Sequence, residues 1–427
     1  VVMVTHDPGE WWEVALASIA EQTYANVATF IVDTASEQDL TARVAAVLPE
    51  AHLRRLETDP GFGPAANEAI EAIEGAAFFL LCHDDIVLDP DAIRALVEEA
   101  FRSNAGIVGP KLVEWDDPER LLQVGMGADK FGAPSPLVER GELDQEQHDA
   151  VRDVFYVPGA ATLVRADLFA TLQGFDPGID LLGEDLDLCW RAQIAGARVL
   201  VAPGATVAHK EALDERRDTT DRRRLAYRHR LRTVLVCYGP FHRVRVLPQA
   251  FVLAIVEALS AIVLGHLRHA RDVTGAWTSN LGDRRAIRER RALVKRTRLV
   301  SDKEVRRLQV RGSARVTAFF RGQLGANDDR LAGMAGAGRD LAQSVRAPTA
   351  RLSLVAWIVV LAVLVVGSRD LITQPIPAIG EFVAFRTGAV DLLREWLSGY
   401  HAAGLGSDAA NPTAFGFLGF SGVLFFG

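Results

Sequence analysis

Cysteine is scarce, with three in 427 residues. Cys82, Cys189 and Cys237 lie far apart and form neither a Cys-x-x-Cys pair nor a Cys/His zinc spacing. An odd and sparse set builds no disulfide framework, so a reducing compartment is expected. Basic excess is missing too. The formal net charge of −8 leaves no electrostatic footprint for nucleic acid, and no nucleic-acid partner is expected. A secretory leader is absent from the opening, which goes directly into the strand-like Val1-Val2-Met3-Val4. The chain starts without Met and stops inside the apolar run Val423-Leu424-Phe425-Phe426-Gly427, so it reads as a piece of a longer protein. No internal repeat is visible.

What is present is a chain of two or three units by length, 49% apolar, with acid-rich early residues and arginine crowded after His209. Short apolar runs alternate with amphipathic stretches near the start, the pattern of βαβ units in an α/β fold. Strands are expected at residues 1–4, 28–32, 53–56 and 78–81. Helices are expected at 11–20, 41–48, 65–73 and 89–101, the last with Pro90 near its first turn. Beyond residue 106, strands are expected at 107–108, 154–157, 161–164 and 199–201, and the polar stretch 114–153 reads as a long loop or insertion.

The later part changes character. A basic helical linker (213–245, with its arginines at 216–232 read as a solvated face near anionic headgroups) leads into an apolar run at 246–267. Pro248, Gln249 and Glu257 fall inside that run, so an interfacial or re-entrant helix competes with a full span. Residues 268–351 carry 20 Lys/Arg against 8 Asp/Glu and are expected on the cytosolic side. Residues 352–368 hold no charge and read as a transmembrane helix, 369–412 as an extracytoplasmic segment, and 413–427 as the start of a further span.

Two acidic clusters stand where chemistry is done in α/β proteins. Cys82-His83-Asp84-Asp85 follows the apolar run Phe78-Phe79-Leu80-Leu81, so its carboxylates sit at a strand's C-terminal end beside the substrate crevice. Carboxylate oxygens there suit hard divalent cations, although Asp-Asp after a strand is also an ordinary turn. Gly183-Glu184-Asp185-Leu186-Asp187 reads as a helix start, where acids cap unpaired N–H groups and need no other role. His209 follows a strand and a Pro-Gly turn, and alone says little. Trp11-Trp12 reads as helix packing, and Trp190 as either a sugar platform or a buried residue.

Taken in order, these features resemble the family 2 glycosyltransferases of the GT-A fold over residues 1–212. The matching segments are Val1-Val2-Met3-Val4-Thr5-His6-Asp7, Phe30-Ile31-Val32-Asp33, Asp59-Pro60-Gly61-Phe62-Gly63-Pro64-Ala65-Ala66-Asn67, His83-Asp84-Asp85, Val157-Pro158-Gly159-Ala160-Ala161, Gly174-Phe175-Asp176, Glu184-Asp185 and His209. The resemblance implies a Rossmann-like, mostly parallel sheet followed by a helical, membrane-associated region. It also implies an inverting transfer of a sugar from a nucleotide-sugar donor, with Mg2+ or Mn2+ as cofactor.

By residue, the resemblance makes Asp85 and His209 metal ligands and Asp185 the general base, with Glu184 orienting the acceptor or the base. Thr5, His6, Asp33, Gly61, Asn67 and Asp84 fall to the donor. Many relatives have aspartate where this chain has His83, so that residue is carried as a further candidate ligand. The expected acceptor is a cell-envelope polysaccharide or glycolipid, and the expected place a multi-pass cell-membrane protein with a cytosolic catalytic domain. Transfer to a polyprenyl phosphate, and a non-catalytic membrane assembly or transport protein that binds nucleotide sugar, are the alternatives.

Overall fold

The computed structural model describes residues 1–139, 141–213, 222–310 and 397. The spans expected at 352–368 and 413–427, the segment 369–412 and the later part of 268–351 lie outside the described residues, apart from residue 397.

The strands are β1 Val2–Thr5, β2 Phe30–Thr34, β3 His52–Leu56, β4 Phe78–Cys82, β5 Ile86–Leu88, β6 Ile107–Glu114, β7 Leu121–Gln123, β8 Met126–Ala128, β9 Pro134–Pro136, β10 Arg152–Asp153, β11 Ala161–Arg165 and β12 Val199–His209. The helices are α1 Trp12–Ala20, α2 Thr41–Val47, α3 Phe62–Ala66, α4 Glu68–Ala72, α5 Ala92–Ser103, α6 Ala166–Thr171, α7 Glu184–Ile194, α8 Arg222–Cys237, α9 Pro240–Val263, α10 Leu267–Gly282, α11 Arg284–Thr297 and α12 Asp302–Val305.

One mixed sheet organises the first part, in the order β10-β12-β6-β11-β4-β1-β2-β3. The block β4-β1-β2-β3 is parallel, as the βαβ pattern requires. Next to it β11 runs antiparallel to both β4 and β6, and β6 is parallel to β12. The C-terminal ends of β1, β2 and β4 therefore open on one edge of the sheet. The core is apolar, with Met3, Trp12, Leu16, Ile31, Leu96 and Val108 fully enclosed. Strands buried on both faces read as continuous apolar runs, which is why β1 and β4 are legible in sequence.

Four expectations differ from the structure. The strand expected at 154–157 does not form: β10 stops at Asp153, and Tyr156 makes a single bridge to Met126. The stretch read as a long loop holds small paired strands, β7 on β6 and β8 on β9. The insertion buries Leu121, Val124, Met126 and Phe131, and Lys111, buried on β6, adds a charged fastening to Asp144 at 2.7 Å and Asp149 at 2.6 Å. The helix expected at 65–73 is two short ones, α3 and α4, meeting at Asn67. The arginines read as a solvated face lie mostly on α8, whose inner face is buried: His229, Arg232 and Thr233 are enclosed.

Two compact units result: Val1–Arg243 with Gly275–Gln323, and Val244–Thr274 with Leu324–Gly427. Helix α9 crosses from the first into the second. Among the described residues it alone is long and apolar enough to cross a membrane, with mean hydropathy 2.1. At about 36 Å it exceeds the ~30 Å of a bilayer's hydrocarbon core. The helix stops at Gly265 (φ +78°), whose left-handed backbone lets His266 N–H reach the Ala261 carbonyl at 2.7 Å. In the second unit Glu257 meets His269 at 2.9 Å, so the acid inside the apolar run has a partner.

Candidate active site

The strand ends deliver three polar clusters to one edge of the sheet. At the end of β4 the chain turns sharply, and His83 N–H is held by the Ala160 carbonyl at 3.0 Å. Asp84 turns inward, where its carboxylate accepts the Thr5 hydroxyl from the end of β1 at 2.6 Å. Asp85 is buried, and its Oδ2 accepts the Ala212 N–H at 2.8 Å. Its other oxygen faces His209 Nε2 at 3.3 Å and His83 Nδ1 at 3.8 Å. One donor atom from each of His83, Asp85 and His209 lies within 4.8 Å of the others. His209 arrives from the far end of the chain because β12 pairs with β5, matching His209 to Ile86. Phe62 packs edge-on against the His83 ring at 4.7 Å and fixes its plane.

Asp33, at the end of β2, is 1% exposed. One of its oxygens accepts the Ser36 N–H at 3.0 Å, while the other has only Arg55 Nε at 3.6 Å. A buried carboxylate oxygen without a hydrogen bond carries a desolvation penalty, so this atom is ready to accept one from a ligand. His6 is fixed by Nδ1 to the Thr34 carbonyl at 2.6 Å. Gly61 has φ +89°, and a Cβ there would stand 2.0 Å from the Asp180 carbonyl oxygen, so the position demands glycine. Asn67 is engaged at both ends of its amide, accepting from Phe175 N at 2.7 Å and donating to Phe175 O at 3.1 Å. It ties the Gly61 segment to the loop ahead of α7.

The second acidic pair opens α7. Asp185 accepts Leu186 N–H at 2.7 Å and Gly159 N–H at 3.3 Å, so it caps the helix while remaining half-buried. Glu184 is buried, and its Oε2 has no hydrogen-bond partner. Burial pushes both carboxyls up, Glu184 to about 8 with the Asp185 charge adding to the rise, and Asp185 to about 6. Gly159 joins the two clusters: a Cβ on it would stand 3.7 Å from His83 Nε2, 3.6 Å from Asp185 Cβ and 3.8 Å from Glu184 Oε1. The small residue leaves the space between His83 and the two acids open. Perturbed acids beside a His/Asp cluster with metal-ligand spacing make this edge of the sheet the candidate reacting centre.

A family model described as glycosyltransferase like family 2 matches residues 8–234, more than half of the chain. This chain belongs to that family. The family 2 chain is 27% identical over 239 residues to the N-acetylglucosaminyl-diphospho-decaprenol L-rhamnosyltransferase of Mycobacterium tuberculosis, covering 51% of itself and 78% of that protein. It is 26% identical over 205 residues to the O-antigen biosynthesis protein RfbC of Myxococcus xanthus, covering 47% of itself and 16% of RfbC. Among solved structures it is similar to GalNAc-T7 with UDP, GalNAc and Mn2+ (TM-score 0.46, 15% identity). That match covers 56% of this chain and 48% of GalNAc-T7, so the chain spans about half of that solved structure's length. As a family 2 glycosyltransferase it is an enzyme, and its mixed, mostly parallel sheet agrees with the GT-A fold expected from sequence.

Trp190 is no sugar platform. It is enclosed between Phe155 at 5.2 Å and Tyr238 at 5.0 Å. Trp12 is core, under Arg43. Sequence reasoning passed over His229 and Asp180, which brace the turn before Glu184, because neither lies in a motif and both meet only through the tertiary fold.

Proposed function

We propose that this enzyme transfers a sugar from a nucleotide-sugar donor, with inversion, to a cell-envelope polysaccharide or lipid-linked acceptor, using a divalent cation. The observation that carries the reading is the convergence across Gly159 of the His83/Asp85/His209 cluster with Glu184 and Asp185. Two imidazoles and one carboxylate fit a borderline cation such as Mn2+ better than Mg2+, which prefers oxygen throughout. When bound, such a cation supplies Lewis-acid stabilisation of the departing diphosphate. His83, Asp85 and His209 hold it, and Asp85 is kept rigid by the Ala212 N–H.

Asp33 accepts a hydrogen bond from the nucleoside through its unbonded oxygen, and Asp84 with Thr5 shapes the floor of the donor site. Asp185, pushed up toward neutrality, takes the acceptor hydroxyl proton as the hydroxyl attacks the anomeric carbon opposite the nucleotide. Glu184, still protonated at neutral pH, donates a hydrogen bond to the acceptor or the sugar. The mycobacterial relative, named as an N-acetylglucosaminyl-diphospho-decaprenol L-rhamnosyltransferase, supports a lipid-linked acceptor. The apolar helix α9 and the arginine excess after it support attachment at the cytosolic face of a membrane, with α9 interfacial or re-entrant, because Gly275 onward returns to the unit that holds the site. The further spans that would make it multi-pass are part of the same proposal.

The test is nucleoside diphosphate release by the full chain in membranes, with a panel of UDP-, GDP- and dTDP-sugars, with and without Mn2+. Metal-dependent release that Asp185→Asn abolishes is expected. Unchanged release by Asp185→Asn would remove the base assignment, and release indifferent to chelator would remove the cation.

A further inference from the structure

We infer that His229, on α8, is a positioning residue that sets the turn presenting Glu184 and Asp185. The inference rests on the reading of Asp185 as base. Immediately before α7 the backbone is strained: Leu182 has φ +66° and Gly183 φ +104°. A leucine in the left-handed region is strained and persists only where its surroundings hold it. His229 is the holder. Its ring is fully buried, with Nδ1 2.7 Å from the Leu181 carbonyl and 3.0 Å from the Leu182 carbonyl. Nδ1 therefore carries its proton and donates, satisfying the carbonyls that the strained turn directs inward. The other end of the ring, Nε2, lies 2.9 Å from Asp180 Oδ1. One side chain thus holds two successive carbonyls, the second of them two positions before Glu184, and stands beside the Asp180 carboxylate.

The turn runs beside α8: a Cβ on Gly183 would meet His229 Cβ at an ordinary 3.5 Å. His229 is itself fixed, because the Thr233 hydroxyl bonds its carbonyl at 3.1 Å. One turn further along α8, Arg232 grips Asp176 with two hydrogen bonds of 2.9 Å and anchors the same loop at its other end. On the donor side, Thr5, His6 and Asp33 are held by their own bonds at the ends of β1 and β2. Release of the turn therefore displaces the acids while Thr5, His6 and Asp33 keep their places, Gly61 on the Asp180 carbonyl being the one donor-side contact that it touches. A displacement near 1 Å at a reacting group is of the order of a 100-fold loss in rate.

The experiment compares His229→Leu, His229→Asn and His229→Gln with Asp185→Asn in the full chain in membranes. Asparagine places an amide N–H where Nδ1 stands, whereas glutamine places one where Nε2 stands. The measurements are kcat and KM for the best sugar nucleotide of the panel, binding of the matching nucleoside diphosphate, and the melting temperature. His229→Leu and His229→Gln are expected to lose about 100-fold in kcat with nucleoside diphosphate binding unchanged, and His229→Asn to recover most of it. Full kcat in His229→Leu, or His229→Asn no better than leucine, overturns the inference. So does a fall in nucleotide binding and melting temperature that tracks kcat across all three variants, which marks the residue as merely structural. Loss in Asp185→Asn beside full activity in His229→Leu defeats this inference alone. Activity retained in Asp185→Asn defeats the base reading beneath it.

Discussion

Glu184 is buried, raised to about 8 from an ordinary 4.5, and its Oε2 has no hydrogen-bond partner. Replacement by glutamine keeps the shape and removes the titration. A carboxyl whose folded value lies above its unfolded one binds an extra proton in the folded protein between the two. Its contribution is fully present below about 4.5 and is lost as pH rises through 8. At about 1.4 kcal/mol for each pH unit, the displacement sets a ceiling near 5 kcal/mol. Water entry and local relaxation reduce what is realised, and about 2 kcal/mol at pH 9 is the expected gap. The assay is thermal unfolding of parent and Glu184→Gln from pH 5 to pH 9 at constant ionic strength. The two are expected to melt together at pH 5 and to part progressively above pH 6, with the variant the more stable by a few degrees. Asp185 titrates in both proteins and largely cancels. A gap that does not change with pH, or a variant that is the less stable at pH 9, would refute the reasoning.

His209→Ala removes one nitrogen from the cation cluster and is expected to weaken Mn2+ binding at least tenfold, measured by calorimetry or Mn2+ titration of activity, with melting temperature nearly unchanged without metal. Gly61→Ala forces a Cβ onto the Asp180 carbonyl and is expected to destabilise by about 1–3 kcal/mol in thermal or chemical unfolding. Burial alone would raise Asp176, but the Arg232 guanidinium overcomes this and holds it below the usual carboxylate range. Arg232→Leu strands that carboxylate and is expected to cost about 3–5 kcal/mol, with recovery in the double variant Arg232→Leu with Asp176→Leu, both read by chemical denaturation.

Much of the fold was legible because local rules and the tertiary outcome agree. The apolar runs of β1, β2 and β4 are buried on both faces, and each is followed by polar residues at its C-terminal end, so strands and crevice follow from the chain itself. The acidic pairs and His209 were visible as motifs because each lies beside such a strand or at a helix start. The insertion after β6 was misread because its strands are short, so the apolar residues that it buries leave no clear period in the sequence. In helix α8 only the arginine face was misread. Its arginines suggest solvent, yet Arg232 is enclosed because Asp176 neutralises it.

The sequence by itself determined the family, the alternation of strand and helix, and which carboxylates stand at strand and helix ends, since these depend on neighbours along the chain. Only the tertiary structure decided which of those groups meet. Asp84 turned inward to Thr5, Asp85 outward to two histidines, and Asn67 to the backbone of Phe175. Residues 83, 159, 185 and 209 are distant in sequence, and their proximity follows from strand pairing and from one glycine too small to separate them. The brace of the catalytic turn by His229 belongs to the same class: a long-range contact whose energy lies in geometry that no local pattern records.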